Sequence, residues 1–215
     1  LRDQCAPADD TEFVPPDMNG TTQRLFRFLE VIESDIVPLT RAGVAAGNKI
    51  FGAAVLLKSD LSLVLAANNE TENPLWHGEI HAIKQFYELA SHPAPQECLF
   101  LATHEPCSLC LSGITWAGFD NFAYLFSHRD SAEAFAIPHD IAVLKAVYAV
   151  PDQDRAQADP ERDLYNRVNA YFTSTDLMPS AREHAPELLS RLTVVYDEMS
   201  QMYQRQRGSG NITLA

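Results

Sequence analysis

The sequence predicts an α/β fold in which helices pack on the faces of a sheet. Three observations carry this expectation. Helical periodicity begins at Thr21, two β-rich runs follow over 50–57 and 61–66, and short apolar runs then alternate with helical patterns. The resulting order, α-β-β-α-β-α-β followed by weaker elements, implies parallel neighbours, because strands joined through helices pair that way. The chain has 215 residues, 46% hydrophobic and 21% charged, enough to bury the core of one domain without disulfide staples.

Residues 1–20 are rich in Asp and Pro and predict a loose or draped tail. Leu25, Phe26, Leu29, Ile32 and Ile36 then recur at three- and four-residue spacing, with Thr22 the expected N-cap and Pro38 the expected break or kink. The runs 50–57 and 61–66 flank Lys58-Ser59-Asp60, a hairpin turn. A helix is expected from His77 through Ile80, Ile83, Phe86, Tyr87 and Leu89, and a buried strand over 99–103. A further helix spans 106–116 with Gly118 as its C-cap, followed by a strand over 122–126 and a helical turn over 132–135. Residues 141–150 mix strand and helix signals.

After Pro151 the composition shifts to a polar, charged stretch over 152–162, then helical patterns near 163–172 and 186–203. Leu188, Leu189, Leu192, Val195, Met199 and Met202 line one side of the last pattern, a packing face that covers the core or joins two subunits. Residues 205–215 predict a mobile tail.

The net charge is −13, from 16 basic against 29 acidic residues, which disfavours nucleic acid and anionic membranes as partners. No apolar run approaches the roughly 20 residues of a membrane-spanning helix. The start, LRDQCAPADD, is polar and acidic, unlike a secretory leader. Four cysteines are too few for a disulfide scaffold, and Cys107-x-x-Cys110 has metal or redox spacing, so a reducing, cytoplasmic setting is expected.

Two motifs carry chemistry: Trp76-His77-Gly78-Glu79 and Glu105-Pro106-Cys107-Ser108-Leu109-Cys110, each at the head of an expected helix. Cysteines at i and i+3 on a first turn project to the same side, and the unpaired N–H groups there favour thiolates. Two thiolates and one imidazole are a zinc donor set, and three protein ligands keep the fourth position for water. Zinc lowers the pKa of such a water from about 15.7 to about 7, and Glu79 would stand beside it to relay the proton. A redox pair or half of a structural zinc knuckle are the plainer readings of Cys107 and Cys110, and a closed site would need His81, His104 or Cys98 as a fourth ligand. His81 follows His77 by one turn, but the peptidase order His-Glu-x-x-His is absent, so a structural or lining role is expected. Glu105 serves either the substrate or a helix dipole. Cys98 is expected to pack beside a strand and Cys5 to lie idle in the tail.

His-x-Glu followed by Pro-Cys-x-x-Cys is the zinc-deaminase pattern. Residues 21–150 resemble the cytidine deaminase superfamily, in the branch of guanine, cytosine and tRNA adenosine deaminases. Phe51-Gly52-Ala53, the Asn-bearing loop, His77-Gly78-Glu79 and residues 105–114 carry the resemblance, and 126–133 look most like the matching segment of bacterial guanine deaminases. Gly78 stands where many relatives have Ala.

The resemblance implies a three-layer α-β-α core around a mixed five-stranded sheet over 21–150. A tail over 1–20 precedes it and a helical extension over 151–215 follows. It implies one Zn²⁺ per chain on His77, Cys107 and Cys110. Glu79 would be the proton shuttle, protonating a ring nitrogen and then the departing amine. Asn68 and Asn69 compete for contact with the base, with Asn69 favoured, while Gly78, Trp76, Phe51 and His104 line the pocket. The implied activity is hydrolytic deamination of a free nucleobase or similar aminated heterocycle, guanine before cytosine, by a homodimer. The alternatives are tRNA adenosine deamination, which needs a basic footprint, and a non-catalytic zinc module, which has no use for Glu79.

Overall fold

The computed structural model describes residues 20–69, 72–139, 143, 167–168 and 172–206. The tail 1–19, the ambiguous run 141–150 apart from Val143, the stretch 152–162, most of 163–172 and the residues after 206 lie outside them.

Helices α1 (Gly20–Val31) and α2 (Val37–Ala45) form one path through a π-helical turn, Ile32–Ile36. Pro38 therefore does not end the helix. It sits in the first turn of α2, and the wider turn before it absorbs the missing donor and the ring. Because α1 already begins at Gly20, Thr22 lies inside its first turn instead of capping it.

Strands β1 (Gly52–Leu57) and β2 (Leu63–Asn68) form the expected hairpin, pairing Gly52 with Asn68. Asp60 Oδ1 accepts the Ser62 N–H at 3.0 Å within the turn. Helix α3 (Gly78–Glu88), strand β3 (Cys98–His104), helix α4 (Ser108–Trp116) and strand β4 (Asn121–Phe126) follow in the expected order. Gly118 ends α4 with φ +84°, a left-handed conformation that favours glycine. Helix α5 (His128–Glu133) starts before residue 132, because Ser127 and Asp130 form a capping box. Strand β5 (Thr173–Asp176) was not expected from its polar Thr-Ser-Thr-Asp sequence. Helices α6 (Met178–His184) and α7 (Pro186–Gln206) close the described chain.

The five-stranded sheet has the order β2-β1-β3-β4-β5. β1 runs antiparallel to β2 and β3, whereas β3, β4 and β5 are parallel, so the sheet is mixed. One face carries Ala54, Leu56, Leu99, Leu101 and Leu125 against α1, α2, α6 and α7. The other carries Ala53, Val55, Phe100, Ala102 and Tyr124 against α3 and α4. Three layers result. The segment after residue 150 supplies β5 to this sheet and α7 to its first face. The buried stripe of α7 is Leu189, Leu192, Tyr196, Met199 and Tyr203, while Met202 faces outward. The stripe covers the core, and it differs from the expected one because two tyrosines bury their rings where the aliphatic pattern placed Met202. No helix among the described residues is long and apolar enough to cross a membrane.

Candidate active site

Helices α3 and α4 lie side by side on one face of the sheet, and their first residues meet. His77 is the N-cap of α3 and Cys107 the N-cap of α4. Both helices thus aim unpaired N–H groups at one spot, which favours thiolates there. His77 Nδ1 lies 3.5 Å from Cys107 Sγ and 3.6 Å from Cys110 Sγ, and the two sulfurs are 3.5 Å apart. A tetrahedral ion with bonds of about 2.0–2.3 Å needs donor separations of roughly 3.3–3.8 Å, so this near-equilateral triangle fits one. These three residues form the one metal-capable group among the described residues, and it includes none of His81, His104 and Cys98. Cys98, Cys107 and Cys110 are unbridged.

Glu79 stands beside the triangle, its Oε2 3.4 Å from Cys110 Sγ. Burial, then the charge of Cys107, raises its pKa to about 7. Hydrogen bonding from Cys110 and His77 pulls Cys107 down to about 4, whereas burial pushes the Cys110 thiol well up. A cation held by the three donors would favour the carboxylate and both thiolates. Gly78 lets α3 approach the sheet. A Cβ there would overlap the Phe51 carbonyl and stand 2.9 Å from Gly52 Cα.

The other expected residues distribute unevenly around this centre. His81 Nδ1 contacts the Asn68 carbonyl at 2.7 Å, so it carries the proton, and Nε2 accepts from Gln85 at 3.1 Å. Both ring nitrogens are engaged, and His81 is a tie between α3 and β2. Trp76 stacks on its ring at 6.0 Å, with Lys84 Nζ 5.0 Å from the indole centroid. Phe51 is buried, and its ring meets that of His104 edge-on at 4.9 Å. His104 also touches Phe126, Phe135 and Tyr196, and its Nδ1 lies 2.9 Å from Thr103 Oγ1.

Asn68 ends β2, Asn69 follows it, and the two separate in role. Asn68 accepts from Thr40 and donates to Lys49 and Asn69, whereas the amide nitrogen of Asn69 makes no hydrogen bond among the described residues. Glu105 accepts the His128 N–H at 3.0 Å, placing it at the head of α5 and not of α4. Sequence reasoning missed Thr40, a fully buried hydroxyl that reads as one more polar residue in a helical run. A groove of about 800 Å³ lined by Arg27, Glu30, Asp60, Glu187 and Arg191 lies against α1 and α7, on the opposite face of the sheet. Its arginines are paired with Glu30 and Glu33.

Residues 36–126 match the family model of the cytidine and deoxycytidylate deaminase zinc-binding region. That segment is similar to the zinc-binding region of this deaminase family. Its matched span includes His77, Glu79, Cys107 and Cys110, the residues that meet at the two helix heads. The chain is 32% identical to the guanine deaminase of Bacillus subtilis over 100 residues, which is 46% of this chain and 64% of that protein. The match therefore spans just under two thirds of the relative's length. A substituted form of the protein NE0047 in complex with 8-azaguanine superposes with TM-score 0.53 at 16% identity, covering 91% of this chain and 99% of that one. This likeness shows a shared fold and nothing more. The solved structure of the Bacillus subtilis guanine deaminase gives TM-score 0.47 at 25% identity, covering 68% of this chain and 87% of that one.

Proposed function

We propose that the chain is a zinc-dependent hydrolytic deaminase of a free nucleobase, with guanine the first substrate and cytosine the second. The observation that carries the reading is the triangle of His77 Nδ1, Cys107 Sγ and Cys110 Sγ with the Glu79 carboxylate 3.4 Å from one corner. A structural zinc has no use for a buried acid beside three ligands, whereas hydrolysis does. The choice of guanine is supported by the 32% identity to a guanine deaminase.

Zinc, one ion per chain, would be held by His77, Cys107 and Cys110 and would supply Lewis acidity and an activated water at neutral pH. Glu79 takes a proton from the water and delivers it to a ring nitrogen, then moves a second to the departing amine. The water oxygen ends as the product carbonyl and ammonia leaves. Asn69 offers its amide to the base edge, and Phe51, Trp76 and His104 belong to the wall around a flat ring. A homodimer in a reducing, cytoplasmic setting is part of the same proposal.

The test is ammonia release from guanine, cytosine, adenine, their nucleosides and triazines, with metal content measured on the same sample. Turnover of guanine with one zinc per chain is expected. A metal-free folded protein, or inertness to every free base alongside activity on folded tRNA, overturns the proposal.

A further inference from the structure

The two sulfurs of the donor triangle are also placed to bond to each other. Cys107 Sγ and Cys110 Sγ are unbridged and stand 3.5 Å apart, in van der Waals contact. A disulfide needs about 2.05 Å, which leaves a gap of about 1.5 Å to close. Cys107 is the N-cap of α4, with φ −66° and ψ 173°, while Cys110 belongs to the first turn of that helix. Both side chains leave the same helix head toward one spot, and modest rotations about their Cα–Cβ bonds bring the sulfurs together.

The remaining thiol of the described residues does not compete. Cys98 opens β3 and His104 closes it, so the strand holds Cys98 roughly 20 Å from the end that leads into the Cys107 turn. Its Sγ donates to the Ala94 carbonyl at 3.5 Å. Exposure then orders the pair. Cys107 is 8% exposed and Cys110 1%, so a small solute meets Cys107 first. As zinc ligands both sulfurs would be thiolates, the nucleophilic form.

We propose that Cys107 and Cys110 are a peroxide-sensitive dithiol as well as zinc ligands, with Cys107 attacking the oxidant and Cys110 resolving. The Cys107 thiolate attacks one oxygen of hydrogen peroxide, the O–O bond breaks and hydroxide leaves, so Cys107 becomes a sulfenic acid. The Cys110 thiolate then attacks the Cys107 sulfur. The S–S bond forms, the S–O bond breaks and a second hydroxide leaves. With two protons from solvent, two thiolates and one peroxide give one disulfide and two waters; the sulfurs lose two electrons and the peroxide oxygens gain them. His77 is left as the last donor of the triangle, too little to hold an ion against a chelator. The metal and redox readings of Cys107-x-x-Cys110 are thus two states of one pair. The inference rests on the zinc site of the deaminase reading and adds a reversible way to switch that site off.

Hydrogen peroxide added to the zinc-loaded chain tests it. Zinc release is followed with a coloured chelator, thiols are counted after denaturation, and the disulfide is located by peptide mass. One zinc and two thiols are expected to be lost together, with Cys107 joined to Cys110, and a dithiol reductant with fresh zinc restores both. In metal-free Cys110→Ser a sulfenic acid accumulates on Cys107, trapped by a 1,3-dione, whereas the thiol left in Cys107→Ser reacts at least about tenfold more slowly. Equal rates overturn the assignment of Cys107 as the attacking sulfur.

Three outcomes overturn the switch and leave the deaminase reading standing. They are zinc loss with sulfinic or sulfonic acids in place of the disulfide, a disulfide to Cys5 or Cys98, and intact zinc and thiols in a solution that oxidises free cysteine. A folded chain that takes up no zinc overturns the deaminase reading instead. The dithiol is then judged on the metal-free protein, where the same disulfide is expected and its absence overturns the proposal.

Discussion

Glu105 Oε2 accepts the backbone N–H of His128 at 3.0 Å, joining the turn that carries Cys107 to the first turn of α5. The N–H of Glu105 itself donates to the Phe126 carbonyl at 2.7 Å, so the junction is held at two points. Glu105→Ala leaves an orphaned donor at the head of α5 and is expected to cost about 1 kcal/mol, read as a lower urea midpoint. Glu105→Gln keeps an acceptor and most of the stability. A midpoint for Glu105→Ala equal to that of the parent would remove the capping role.

The donor triangle makes its own prediction. Cys107→Ala and Cys110→Ala should each lose zinc and ammonia release together, because a site with two remaining ligands cannot retain the ion in competition with a chelator. Elemental analysis after dialysis decides this. Stoichiometric zinc in either variant contradicts the ligand assignment.

Glu79 is close to the triangle but outside it. Glu79→Gln should therefore keep its zinc while kcat falls by about 10²–10⁴, the usual range for a lost general acid or base. Turnover within a few-fold of the parent's would show that protons move by another route.

Gly78 is a packing requirement. Gly78→Ala would drive a methyl into the Phe51 carbonyl, and neighbouring main chain has little freedom to yield. An overpacking cost of about 1–3 kcal/mol is expected, together with a loss of activity as α3 shifts. An unchanged thermal midpoint would show that the two segments separate easily.

Acid should weaken the fold through His104. Burial, then the charge of His128, lowers its pKa from 6.5 to about 3. Between those values the unfolded chain binds a proton that the folded protein refuses. The stability is thus full above pH 6.5 and falls as pH drops toward 3, by up to about 1.4 kcal/mol per pH unit. His104→Phe removes that share of the slope, so denaturation curves of the variant should change less between pH 6.5 and 4. Identical slopes would mean that another group titrates.

Much of the molecule was legible in the sequence because its signals are local. The spacing of Cys107 and Cys110 on a first helical turn, the apolar runs of β1, β3 and β4, and the glycine after α4 each state their geometry within a few residues. Other features escaped because they depend on partners far along the chain. Thr-Ser-Thr-Asp becomes a strand only when β4 offers its free edge. Pro38 leaves the helix continuous only because the preceding turn widens. Tyr196 and Tyr203 count as core only once their rings are buried.

Residue identity and short-range spacing determined the donor set, the order of the main elements and the acidic balance, since these follow from covalent neighbours and helical or strand period alone. Tertiary structure alone decided which asparagine is spent on the scaffold, which helix Glu105 caps and how His81 uses its two nitrogens. Each of those choices is a competition for buried hydrogen bonds among groups distant in sequence, and packing, not period, sets who meets whom.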